Sequence, residues 1–254
     1  MILNNPYLYH PHPLCKVAAG DLFQIIERHP DWRAELSKGK MLGVLVCETE
    51  QGLLHGKNEN ESLSCVHYIN NNAYCYLAAY SGNVEINHEG FFVPPVYDLN
   101  DPDDFYKGEE KNISEINYKI KVLEQQSYNV KTNKTKIDTL KAERKERSQA
   151  LQFEIFKHFN FTNFKGETKN IVEIFAEAKT GLPPGGAGEC AAPRLLQYAF
   201  TRGLRPIAMA EFWYGNSPRL EIRLHKEFYP SCIEKCSPIL KYMLGAKESP
   251  APEC

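Results

Sequence analysis

No stretch of the 254-residue sequence approaches the roughly 18–20 apolar residues that a membrane-spanning helix needs, so no membrane partner is expected. The first fifteen residues, MILNNPYLYHPHPLC, lack a basic segment followed by an apolar one, which argues against a secretory signal and for a cytoplasmic protein. There is no excess of either charge: 30 Lys and Arg face 32 Asp and Glu, for a net charge of −2. That removes both a strongly basic nucleic-acid binder and an acidic disordered tail from the first reading. Hydrophobic residues at 43% and charged residues at 24% fit a globular chain long enough to bury a core. The glycine-rich run Leu182–Gly188 lacks the Gly-Lys-Ser/Thr ending of a phosphate-binding P-loop, although backbone N–H groups at a helix start there can still face a phosphate.

Cysteine, by contrast, is plentiful, with eight in the chain. Without an export signal these read as reduced thiols rather than a disulfide framework. Cys47 and Cys75 lie in strand-like runs and are expected in the core. His10, His12 and Cys15 have metal-like spacing but no second half, so a turn or interface role is expected.

Strands are predicted at 41–48, 73–80 and 207–214, where β-branched and aromatic residues concentrate. Helices are predicted at 18–36, 151–161, 170–179, 189–201 and 232–244, with Pro6, Pro11 and Pro13 blocking one at the N-terminus. Residues 107–150 have no Gly or Pro after Gly108 and carry Ile113, Ile116, Ile120 and Leu123 at 3–4 spacing. On that count Ser127, Lys134 and Lys141 interrupt the seam, so a helical hairpin or short antiparallel coiled coil is expected, with a turn near 128–133 and a capacity for homodimer formation. The expected fold is α+β or three-layer α/β: a small mixed sheet flanked by helices, formed by 1–106 and 151–246 around the 107–150 insertion, with a linker-like tail at 247–254.

Three cysteines stand at predicted helix starts. Cys190 follows the glycine-rich turn, and Cys232 and Cys236 open the last helix in Pro230-Ser231-Cys232-Ile233-Glu234-Lys235-Cys236. Helix N-termini favour thiolates, and three of them can hold a zinc ion with one position open. The arrangement resembles zinc-dependent nucleoside and nucleic-acid deaminases, which place a catalytic Glu two residues after the first ligand and a Pro-Cys-x-x-Cys pair at a later helix start. Here Ala192 stands at the Glu position and the pair is Cys-x-x-x-Cys; Glu189 and Glu211 are the nearest carboxylates. Zinc at Cys190, Cys232 and Cys236, in a deaminase-like C-terminal half, is thus one reading, and buried structural thiols with no cofactor are the other.

Between Glu189 and Gly245 eight basic residues face five acidic ones, interleaved with Phe212, Trp213, Tyr214, Phe228 and Tyr229. Basic side chains beside stackable rings suit RNA, which makes Arg194, Arg202, Arg205, Arg219, Arg223 and Lys226 candidate RNA-binding residues.

The strings PPGGAGECAAPRLLQYAFTRGLRPIAMAEFWYG (183–215) and FYPSCIEKCSPILKYMLG (228–245) closely resemble the N-terminal region of a subgroup of RluA-type RNA pseudouridine synthases. YHPHPLCKVAA (9–19), GKMLGVLVCE (39–48), YLAAYSG (76–82) and FFVPPVYDL (91–99) resemble the same region in the same order, with a variable coiled-coil stretch between the two parts. The resemblance implies an accessory region of an enzyme that isomerises uridine in structured ribosomal or transfer RNA, with the synthase's catalytic domain as its partner. The Arg-Leu-Asp motif of that catalytic domain is missing: the aspartates are at 21, 31, 98, 101, 103, 104 and 138, and none follows Arg-Leu. The resemblance therefore implies no catalytic residue for isomerisation in this chain, and the Pro-rich 249–254 stretch resembles the linker that precedes the catalytic domain.

Overall fold

The computed structural model describes residues 5–7, 10–48, 66–69, 74–82, 84, 86–88, 90–97, 106–125, 130–218 and 221–245. It divides into two units, one formed by Met1–Val96 with Asn160–Cys254 and the other by Tyr97–Phe159. The chain opens with α1 (Pro13–Arg28), α2 (Pro30–Leu36), β1 (Lys40–Glu48), β2 (His67–Ile69) and β3 (Tyr74–Tyr80). The second unit holds α3 (Tyr106–Gln125) and α4 (Val130–Phe156). The first unit then resumes with β4 (Asn160–Thr162), β5 (Thr168–Asn170), α5 (Ile171–Glu177), α6 (Ala191–Thr201), β6 (Arg205–Tyr214), β7 (Phe228–Tyr229) and α7 (Ile233–Leu244). Among the described residues no helix is long and apolar enough to cross a membrane.

The main sheet has the order β2-β3-β1-β6-β7, and every pairing in it is antiparallel. The sheet is therefore not mixed as expected, and the fold is α+β: β1 and β6, far apart in sequence, pair as antiparallel neighbours without a βαβ crossover. Helices still cover both faces. The alternation of β1 sends Leu42, Val44 and Val46 into one core with Leu22, Ile26, Trp32 and Leu36 from α1 and α2, and with Phe212 and Tyr214 from β6. Gly43, Leu45 and Cys47 point to the other face, where α6 packs. Burial of β1 on both sides explains its near-continuous apolar run. Pro206 has no N–H for the β1 ladder, and the register shifts beside it, between Val46 and Cys47.

Two prolines act differently from the expectation. Pro13 does not block a helix but starts one, because the first helical position needs no hydrogen-bonded N–H; His12 caps it by accepting from the Leu14 N–H at 3.2 Å. Pro30 breaks the predicted 18–36 helix into α1 and α2, since it holds His29 in extended backbone. His12 is thus a cap, and Cys15 is a fully buried core residue of α1.

In the second unit α3 and α4 form a hairpin with opposed directions. Lys141 bonds to Glu124, Arg144 to Asn117 and Arg147 to Glu109, so later residues of α4 meet earlier residues of α3. Ile116 and Ile120 of α3 and Leu151 and Phe156 of α4 are buried, while Lys134 and Lys141 are exposed. The predicted 151–161 helix is in fact the end of α4, followed by β4. Part of the expected turn at 128–133, Ser127 and the 247–254 tail lie outside the described residues.

Candidate functional site: a thiol and carboxylate centre

The N-termini of α6 and α7 meet on the face of the sheet opposite α1, beside β6. Cys190, in extended backbone, is the N-cap of α6 and Cys232 the N-cap of α7, while Cys236 lies one turn into α7. Cys190 and Cys232 are partly exposed and Cys236 is buried. The glycine-rich connector reaches the centre through Gly188, whose N–H faces the Cys236 sulfur; at φ +87° that backbone suits glycine.

The three thiols interact with one another. Cys232 accepts from Cys190 and from Cys236, and the Lys235 and Cys236 N–H groups at the start of α7 also face its sulfur. These donors pull Cys232 below the ordinary thiol range. Donation to Cys232 and Cys236, together with burial, pushes Cys190 far up. A bond from Cys190 pulls Cys236 down, but donation to Cys232 and burial outweigh it, leaving Cys236 at about 12.

The carboxylate comes from β6. Glu211 alternates onto the α6 face opposite Gly43 of β1 and is 4% exposed. Burial pushes its carboxyl up to about 7, although the Ser231 hydroxyl and the Ala192 N–H, 3.2 Å away, both favour the charged form. Glu211 lies close enough to Cys232 and Cys190 for their charges to interact. Tyr7 completes the centre. The Ser231 N–H donates to the Pro6 carbonyl at 2.9 Å, which lays the 5–7 segment across α7. The Tyr7 hydroxyl is thereby closed off from solvent beside Ser237, its ionisation disfavoured by burial.

Gly43 permits this geometry. A Cβ there would stand 3.0 Å from both the Ala191 Cβ and the Leu195 Cδ1, and 3.4 Å from the Glu211 Cγ. Gly43→Val is expected to push α6 off the sheet and to cost about 1–3 kcal/mol, measurable by urea unfolding.

The donor set is chemically suited to a soft metal, since three sulfurs converge. Among the described residues, however, no three His, Cys, Asp or Glu side chains form a group arranged to hold a metal ion. The thiols that were candidate zinc ligands are brought together at the two helix starts. Glu211 was the carboxylate with the wrong spacing in sequence; it reaches the centre from the strand rather than from α6. A glutamate inside the apolar run IAMAEFWY was the signal available in sequence. Nothing in sequence marked Tyr7, Ser231 or Ser237.

The basic candidates do not form one face. Arg194 is 4% exposed, and its guanidinium donates to the carbonyls of Tyr80, Gly82 and Val93 at 2.6, 3.3 and 3.0 Å. It is a structural tie beneath α6 and not an RNA contact. Arg202 is exposed beside the Tyr198 ring, and Arg205 pairs with Glu48 at the start of β6. Arg223 and Lys226 lie beyond the other end of β6: Arg223 bonds to Glu221 and stacks near Trp213 and Tyr229, and Lys226 pairs with Glu27. Arg219 lies outside the described residues. A ten-residue strand separates these ends by about 30 Å.

No family model, no curated protein and no solved structure matches the chain.

Proposed function

We propose that this chain is the accessory region preceding the catalytic domain of an RluA-type RNA pseudouridine synthase, and that it helps dock structured RNA for uridine isomerisation carried out by that domain. The reading is carried by the resemblance of the sequence strings, and in the structure those strings pack against one another. Arg194, from the 183–215 string, ties down Tyr80 and Gly82 of YLAAYSG and Val93 of FFVPPVYDL. Cys190 of the same string meets Cys232 and Cys236 of the 228–245 string.

With Arg194 buried, RNA has two surface pairs to use, Arg202 with Arg205 and Arg223 with Lys226. Titration of transfer and ribosomal RNA fragments at several salt concentrations tests the reading. Affinity is expected to fall with salt, and alanine at one pair to lower the slope by about one for each phosphate no longer neutralised. No binding at low salt, either by the chain or by a synthase carrying it, would sink the proposal.

A second reading is favoured by Glu211: a divergent deaminase-like domain acting on a base or nucleotide. The antiparallel β3-β1-β6 core with two helix N-termini meeting beside a proton-accepting carboxylate supports it. Glu211 would then hold the proton that Ala192 cannot. No step is assigned to a metal. Release of ammonia from free bases, nucleosides or RNA, abolished in Glu211→Gln, is the measurement that separates this reading from docking.

A further inference from the structure

We propose that the 86–93 segment is a strap that His67 anchors and His88 releases on acidification, uncovering the Trp32, Tyr80 and Phe92 rings. The inference is independent of both readings above, because the strap packs on the α1 core and needs neither RNA nor a base. It rests on printed contacts of the segment with α2, the sheet and α6. The Trp32 indole N–H donates to the Asn87 carbonyl at 2.8 Å, and the Val93 N–H to the Ala78 carbonyl at 2.9 Å. The Arg194 guanidinium donates to the Val93 carbonyl at 3.0 Å. His67 meets the Phe91 carbonyl at 3.1 Å through Nε2 and stacks 3.9 Å from the Phe91 ring. Phe92 then fills the core, 5.4 Å from the Trp32 ring and 5.1 Å from the Tyr80 ring.

The two histidines play opposite parts. A carbonyl can only accept, so His67 presents a protonated Nε2 to Phe91, and that bond survives when the ring gains a second proton. His88 does the reverse. Its Nδ1 accepts from the Phe92 N–H at 3.4 Å, within a turn in which the Phe91 N–H donates to the His88 carbonyl at 2.7 Å. A protonated Nδ1 has no lone pair for that N–H, so the charged ring gives up the turn it holds. The charged ring is also a second cation at the Tyr80 ring, which His88 meets edge-on at 6.1 Å and the Arg194 guanidinium covers at 4.7 Å. Among the described residues, the charged and titratable groups facing His88 are Tyr80 of β3 and Arg194 of α6. Those facing His67 are Tyr76 of β3 and Asp21 of α1, which accepts from the Tyr76 hydroxyl at 2.6 Å. His29 stacks on the Trp32 ring, 4.2 Å away. Burial and then Arg194 lower His88, while at His67 Asp21 opposes burial. The closed strap thus favours neutral His88, and it loosens as the pH falls below the ordinary 6.5.

The experiment follows the full chain by NMR from about pH 7.5 to about pH 5.5, reading the His88 ring, the Trp32 indole N–H and the protection of the Phe92 N–H against hydrogen exchange. His88 is expected to titrate below 6.5. Along the same curve the Phe92 protection factor is expected to fall by about tenfold, while the N–H groups of β1 and β6 keep theirs. His88→Asn places an uncharged oxygen near the position of Nδ1 and is expected to hold the Phe92 N–H across the whole range. His67→Gln keeps a donor near the position of Nε2 and is expected to leave the transition in place. If His88→Asn fails to fold, the wild-type and His67→Gln curves decide the matter. Phe92 protection that stays constant while His88 titrates, or a transition that persists in His88→Asn, would overturn the proposal. So would a transition shared by β1 and β6, because acid would then be unfolding the sheet rather than releasing the strap.

Discussion

Replacing Arg194 by methionine is expected to lower the unfolding free energy by about 3–5 kcal/mol, measured by urea denaturation. The reason is the imbalance the substitution leaves. Arg194 sends its guanidinium beneath α6 to three carbonyl oxygens, those of Tyr80, Gly82 and Val93, and stacks 4.7 Å from the Tyr80 ring. Methionine fills much of the same volume but donates nothing, so buried carbonyls lose their donors at a cost of about 1–3 kcal/mol each when no water replaces them. Burial pulls the guanidinium below its ordinary range, but it stays charged, and its charge strengthens every bond it makes. Lysine keeps the charge but replaces the planar fork with one ammonium, which cannot hold carbonyls on two segments at once. Arg194→Lys should therefore recover only part of the stability. A change below about 1 kcal/mol for methionine would mean that the three carbonyls find water and that Arg194 is not the tie described above.

The contrast between Arg194 and the other basic residues shows where sequence was informative and where it was not. Strands β1, β3 and β6 were legible because a run such as MLGVLVC, buried on both faces, has few other conformations open to it. The hairpin was legible because Ile116 and Ile120 recur at helical spacing in a segment without Gly or Pro. What sequence could not show was the pairing of β1 with β6, which depends on closure of a long chain segment rather than on a local pattern. That pairing decides everything nearby. It places Glu211 opposite Gly43, and it lets the two helix starts share a face of the sheet. It also sends Arg194 inward while Arg205 stays at the surface, so a count of basic residues along 189–245 described no surface. Pro13 and Pro30 carry the same lesson on a smaller scale: proline opened α1 and divided it from α2, and only the position of the neighbouring cap distinguishes a start from a stop.

Glu211→Gln is expected to make the protein more stable than wild type at pH 8, by about 3 kcal/mol, and to lose that advantage as the pH falls to 4.5. The folded carboxyl is raised to about 7 from an ordinary value of 4.5. Below pH 4.5 the group is protonated in both the folded and the unfolded chain, and its ionisation costs nothing. Between 4.5 and 7 the unfolded chain gives up the proton while the folded one retains it, so stability falls as the pH rises. Above 7 both states are ionised and the folded chain carries the full penalty of a buried charge. Glutamine removes the penalty and keeps an oxygen to accept from the Ala192 N–H and the Ser231 hydroxyl. The wild-type profile alone would not isolate this effect. Burial lowers His67 and His88, and those two contribute in the opposite sense, losing stability as the pH falls through the histidine range. They are present in both proteins, so the difference between the two urea-unfolding profiles cancels them. A difference that rises with pH between about 4.5 and 7 assigns the raised carboxyl to Glu211. A flat difference would mean that Glu211 ionises as freely in the folded chain as in the unfolded one, and it would remove the proton acceptor on which the deaminase-like reading draws.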